Sequence, residues 1–228
     1  MFDVLYEKED DRLYIVLEYC DAGSLDNMIR RCGPTPEPIL SVIMRQIFLG
    51  LSFLFNAGIQ HRDIKPANIL LKREGHVKIS DFGSSKEDEI SLTFCGTTRY
   101  MAPERLNGDE YGWPADLWAT GISMLEASLG HHPYLSFGED SSFIAMLEYS
   151  QRESPKLREG CSEEAQEFVD LCLAKDPRQR PSPAALLPGG EADLENSHPF
   201  IANFIHLGPH AVAQHLAQPR GPVAAGVY

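Results

Sequence analysis

His61-Arg62-Asp63-Ile64-Lys65-Pro66-Ala67-Asn68-Ile69-Leu70 is the stretch on which the reading of this chain turns. It sets a carboxylate, an ammonium and a carboxamide close together, directly ahead of the apolar run Ile69–Leu71. A second run, Val77–Ile79, follows the turn Arg73–His76. Thirteen residues beyond Asn68 comes Asp81-Phe82-Gly83, and later Met101-Ala102-Pro103-Glu104. Any one of these short motifs alone carries little information. All three, in this order and at these spacings, would arise by chance well below about one time in a thousand.

Before the central stretch, Val4–Glu7 and Leu13–Glu18 read as two strands joined by the charged turn Lys8–Arg12, an antiparallel hairpin. Asp21-Ala22-Gly23-Ser24 reads as a turn whose serine caps a helix over Leu25–Arg31. Pro34, Pro36 and Pro38 punctuate a loop, and apolar residues then recur at helical spacing from Ile39 to Phe55 until Asn56-Ala57-Gly58 stops them. Beyond it, helices are predicted over Asp116–Leu129 and over Glu163–Ala174, the latter ending before Asp176-Pro177. After Pro188 the character changes. An acidic, glycine-rich loop precedes His198-Pro199-Phe200, and 206–228 is rich in Ala, Pro, Gly and His, with no 3.6-residue period able to support a core.

With 228 residues, 43% of them hydrophobic and 23% charged, the composition is globular, and the length suffices for one good core. Net charge is −13, from 20 basic against 33 acidic residues, which argues against a nucleic-acid footprint of clustered Lys and Arg. The acidic start MFDVLYEKEDD lacks the basic and apolar regions of a secretory signal. The segment Asp116–Leu129, read as the most apolar helical stretch, is too short to span a bilayer. No membrane partner is therefore expected. Cys20, Cys32, Cys95, Cys161 and Cys172 are odd in number and scattered, the pattern of reduced thiols in the cytoplasm or nucleus. His131 and His132 stand together in a loop without a carboxylate at ligand spacing, a poor metal site.

The three motifs together resemble the catalytic loop, metal-binding loop and activation segment of the protein-kinase family, over roughly Val4 to Ile205. The resemblance implies an α+β, protein-kinase-like fold: a mostly helical large lobe (21–205), a remnant β-hairpin of the small lobe with the hinge (1–20), and a loose tail (206–228). It implies ATP and Mg²⁺ as cofactors. By resemblance, Asp63 orients the substrate hydroxyl and accepts its proton, and Lys65 stabilises charge at the γ-phosphate. Asn68 and Asp81 hold Mg²⁺ through hard oxygens. Leu17 falls at the gatekeeper position, Glu18 and Cys20 offer main-chain groups to adenine, and Leu70 forms the floor beneath the ring. Gly83 permits the turn after Phe82, whose ring stacks under His61. Asp116 resembles the aspartate that braces the catalytic-loop backbone, and Arg180 the arginine that pairs with Glu104.

Lys65 and Thr97 resemble features of serine/threonine kinases, although Thr98 stands where many of these have proline. The stretches Glu18–Asp26 and Thr93–Leu106 are most similar to MAP kinase kinases. That similarity implies a protein substrate such as a MAP kinase and an upstream activating kinase. Thr93, with Ser91 as runner-up, is the implied activating phosphosite, and Arg62 its cationic partner.

These residues include no G-x-G-x-x-G loop and no strand-borne V-A-I-K lysine, and Lys8 lies in a hairpin turn. The expectation is thus an incomplete catalytic domain, inactive by itself. A pseudokinase or binding module that uses the large lobe for protein interaction is the main alternative. A small-molecule kinase on the same fold is a third, opposed by Ala102-Pro103-Glu104 and the neighbouring threonines.

Overall fold

The apolar period at Ile39–Phe55 becomes the central helix of the structure, a computed structural model that describes residues 2–82, 96–134, 143–152, 154–187 and 190–218. This helix, α2, runs Glu37–Asn56. Pro38 sits in its first turn, where a missing N–H costs nothing. Ahead of it lie strands β1 (Asp3–Glu7) and β2 (Arg12–Val16) and helix α1 (Leu25–Cys32). Ser24 caps α1 as expected, and Asn27 reciprocates from the third helical position. Behind α2 come β3 (Ile69–Leu71), β4 (Val77–Ile79), α3 (Pro103–Leu106) and α4 (Pro114–Leu129). The described elements end with α5 (Phe143–Gln151), α6 (Glu163–Cys172), α7 (Pro183–Leu186), α8 (Pro199–Ala202) and α9 (Pro209–Ala217).

One core joins the helices. From α2 it takes Leu40, Ile43, Ile47 and Phe48, and α4 adds Leu117, Trp118, Ile122 and Leu125, all buried. Helix α4 is buried almost all round, which explains its nearly unbroken apolar sequence. Gly121 allows α4 to lie close on α6, because a Cβ there would come 2.9 Å from that of Cys172. Contrary to expectation, α2 is the described helix long and apolar enough to cross a membrane. Its apolarity is accounted for by the lobe: α2 touches β4, α4, α7, α8 and α9.

Two small antiparallel sheets complete the fold. β3 pairs with β4, Ile69 opposite Ile79, and Ser24 bridges to Leu70 on the other edge. β1 pairs with β2, Leu5 opposite Tyr14, but β2 stops at Val16 rather than at Glu18. Every residue of both strands is exposed.

The tail is a second departure. Residues 209–217, expected to be loose, form α9, with Ala211, Val212 and His215 buried. Main-chain acceptors help to dock it: Arg31 donates to the Leu216 carbonyl at 3.2 Å and Arg45 to that of Leu207 at 2.8 Å. Gly75, at φ +88°, leaves room for the Pro209 carbonyl where a Cβ would collide.

Candidate active site

The catalytic-loop stretch folds back on itself for a local reason. Lys65 is extended, Pro66 opens the short 3₁₀ turn Pro66–Asn68, and the Asn68 N–H returns to the Lys65 carbonyl at 2.9 Å. The turn brings Asn68 over Asp63, so that its Nδ2 donates to the Asp63 carbonyl at 2.9 Å and to Oδ2 at 2.8 Å. Lys65 Nζ reaches the same Oδ2 at 2.8 Å. Asp63 Oδ1 is buried and has no hydrogen-bond partner among the described residues.

Asp116, in the first turn of α4, braces the loop from below. Its Oδ2 accepts the His61 N–H and its Oδ1 the Arg62 N–H, both at 2.8 Å. Burial raises the Asp116 pKa above the ordinary carboxylate value, and these two N–H groups oppose the shift. His61 Nδ1 accepts from the Asp63 N–H at 3.3 Å, which leaves Nε2–H to donate to the Ser80 carbonyl at 2.9 Å. Ser80, which sequence reading passed over, donates through both N and Oγ to the Asn68 carbonyl, each at 2.9 Å. The segment leading into Asp81 is thereby tied to the stretch 61–70 one residue before that aspartate. Asp81 is exposed, with φ at +65°, and the Phe82 ring lies 4.8 Å from that of His61.

On the hinge side, Leu71 donates to the Gly23 carbonyl at 2.8 Å and Ala22 to the Leu71 carbonyl at 3.0 Å, so the segment after Cys20 runs along β3 and Leu70. The Glu18 side chain is clasped by Lys72 and Lys78 at 3.3 Å each, and these bonds lower its pKa. Leu17 and Tyr19 are exposed. An open groove of about 440 Å³ on α6 is lined by Glu163, Gln166, Glu167, Asp170 and Leu171; none of its lining residues belongs to the catalytic loop, β3 or β4.

Farther along, Arg180 meets Glu104 through two bonds of 2.6 and 2.8 Å. Tyr100, unmarked in the sequence reading, donates to Glu126 at 2.6 Å; burial first, then the pairing, raises its pKa. Thr97 lies in the 3₁₀ turn Gly96–Tyr100. Gly83, Ser91 and Thr93 lie outside the described residues.

Asp63 is thus held by its own loop, Asp81 follows directly on a residue tied to that loop, and the segment after Cys20 lies along β3. The chain belongs to the protein kinase domain family, whose pattern matches residues 1–189. Among curated relatives it is similar to "Mitogen-activated protein kinase kinase 3" of Arabidopsis thaliana, 38% identical over 86% of this chain and 37% of the relative. It is also similar to "Mitogen-activated protein kinase kinase 1c" of Physcomitrium patens, 39% identical over 83% of this chain and 55% of the relative. A third is "Dual specificity mitogen-activated protein kinase kinase dSOR1" of Drosophila melanogaster, 36% identical over 84% and 53%. The chain spans about half the length of the curated relatives it matches.

The family implies ATP and a divalent metal, and the residues present fit the metal. The two donations of Asn68 Nδ2 to Asp63 leave its Oδ1 turned away as a hard oxygen donor. Asp81 adds an exposed carboxylate.

Proposed function

We propose that this chain supplies the machinery for moving the γ-phosphoryl group of ATP to serine or threonine hydroxyls of a protein substrate, in a MAP kinase-type cascade. One observation carries the reading: Asp63 has one oxygen held by Lys65 and Asn68 and the other buried without a partner among the described residues. A buried acceptor left open costs free energy unless an incoming donor satisfies it. A substrate hydroxyl is such a donor. Asp63 Oδ1 orients it and takes its proton, while the bonds from Lys65 and Asn68 hold the carboxylate in place. Bound Mg·ATP supplies the transferring group and neutralises its charge; Asn68 Oδ1 and Asp81 are the residues that would hold the metal. Adenine would lie between Leu70 and main-chain groups of Glu18 and Cys20, beside Leu17.

In a chain extended by a complete small lobe, Asp63→Asn should nearly abolish single-turnover transfer and leave nucleotide affinity in place. Asp81→Asn should weaken Mg²⁺-dependent nucleotide binding. Near-normal turnover in Asp63→Asn would sink the assignment. Because one relative is named as dual specificity, the assay includes tyrosine beside serine and threonine acceptors.

Thr93 is the proposed activating phosphosite, with Ser91 second. A phosphate brings about −1.5 to −2 of charge, which Arg62 can pair. Thr93→Ala in the extended chain should blunt activation by an upstream kinase; full activation would exclude the site.

The second reading, a binding module or pseudokinase, is favoured by the exposed β1–β2 hairpin. It is separated from the first by the same turnover assay.

A further inference from the structure

Arg62 holds a left-handed backbone, φ +70°, in the middle of the catalytic loop. A residue with a Cβ is strained in such a conformation and keeps it only when its surroundings over-determine it. Asp116 fixes the peptide on one side by accepting the Arg62 N–H. The carbonyl on the other side belongs to the peptide that leads into Asp63. It accepts a hydrogen bond of 2.7 Å from Arg105 Nη1.

Arg105 lies in α3, next to Glu104, whose carboxylate is locked by Arg180. Its guanidinium carbon stands 4.7 Å from the centroid of the Tyr111 ring, and that of Arg62 stands 5.9 Å from the same ring. Two cations thus meet one aromatic ring. The closer one is Arg105, and the ring restrains its planar fork so that one N–H points at the Arg62 carbonyl.

We propose that Arg105, oriented by Tyr111, is a positioning residue that holds the Arg62–Asp63 peptide and, through it, the direction of the Asp63 carboxylate. A carboxylate on the N–H side and a guanidinium on the carbonyl side clamp the same strained residue. Neither Arg105 nor Tyr111 need touch substrate. The effect on rate rests on the phosphoryl-transfer reading; the effect on the loop does not.

The test is amide hydrogen exchange at Arg62 and Asp63 in this 228-residue chain, each amide being hydrogen-bonded here, to Asp116 and His61. Arg105→Ala should speed exchange at both by on the order of tenfold relative to α2 core amides such as that of Ile47. Tyr111→Leu should give a smaller rise, because the donor stays but loses its restraint. Arg105→Lys keeps a cation and should recover part of the protection. Arg178→Ala, removing an exposed arginine paired with Asp176, should change neither amide. A rise at Arg62 and Asp63 no larger than at Ile47 would overturn the proposal, as would full protection in Arg105→Ala. In the chain extended by a complete small lobe, Arg105→Ala should lower kcat and leave KM for ATP unchanged. Absence of any transfer by the wild type would defeat the kinase reading while exchange still decides the clamp.

Discussion

His131 and His132 are neighbours in sequence, yet only the first is exposed. His132 is 4% exposed, with its ring 5.2 Å from Tyr100 and 5.6 Å from Tyr134. Burial, aided by the charge of Arg99, pushes its pKa down to about 4. As pH falls below about 6.5 the unfolded chain takes up this proton, whereas the folded chain does not until about pH 4. Stability from this group is therefore complete above that window and is lost as pH falls through it. At pH 5 the loss is about 2 kcal/mol. Denaturant titrations at pH 7 and pH 5 should show wild type losing about that much more than His132→Phe. His198 and His215 are also shifted down by burial, so the difference between the two chains is the informative quantity. Equal losses in both would mean that His132 is not buried as described. At this scale the sequence identified Asp63, Asn68, Asp116 and Phe82 through their motifs. It did not mark Ser80, Arg105 or Tyr100, whose roles depend on partners distant in the chain.

Among the elements, α3 is tied to the helices that follow it by a buried ion pair. Arg180 donates to both Glu104 oxygens, to the Ala174 carbonyl at 2.9 Å and to the Pro114 carbonyl at 2.9 Å, and it also lies 5.1 Å from the Trp118 ring. It joins the end of the activation segment to the start of α4 and the loop after α6. Its side chain is fully buried, so Arg180→Ala strands the Glu104 carboxylate and should cost about 3–5 kcal/mol, read as a lower denaturant midpoint. An unchanged midpoint would mean that the two groups do not pair in solution. Helix ends were legible to within a few residues where an apolar period ran long, as in α2 and α4. In α9 the period is too weak to read, since its buried face rests on Ala211, Val212 and His215.

Across the whole molecule, burial is uneven. The helical lobe encloses a continuous core, whereas Leu5, Tyr6, Leu13 and Ile15 of the hairpin are each more than half exposed. Exposed apolar strands with open edges favour association between chains. Leu13→Lys with Ile15→Lys should reduce self-association of the 228-residue chain in sedimentation, and the unfolding free energy should move by no more than about 0.5 kcal/mol. A large stability loss would show that the hairpin packs on the lobe. On the proposed function, Asp63, Lys65, Asn68 and Asp81 of the helical lobe, and not the hairpin, would face the triphosphate.

By itself the sequence determined the family, the order of the long helices and of the paired strands, and the candidate residues around Asp63. Those properties reside in short motifs, whose spacing is set by local turns such as Pro66–Asn68. Tertiary structure alone decided which oxygen of Asp63 stays open, which carbonyl Arg105 holds, that β2 ends at Val16 and that α9 docks. Each of these depends on a distance between residues far apart in the chain, and hydrophobic periodicity carries no information about such distances.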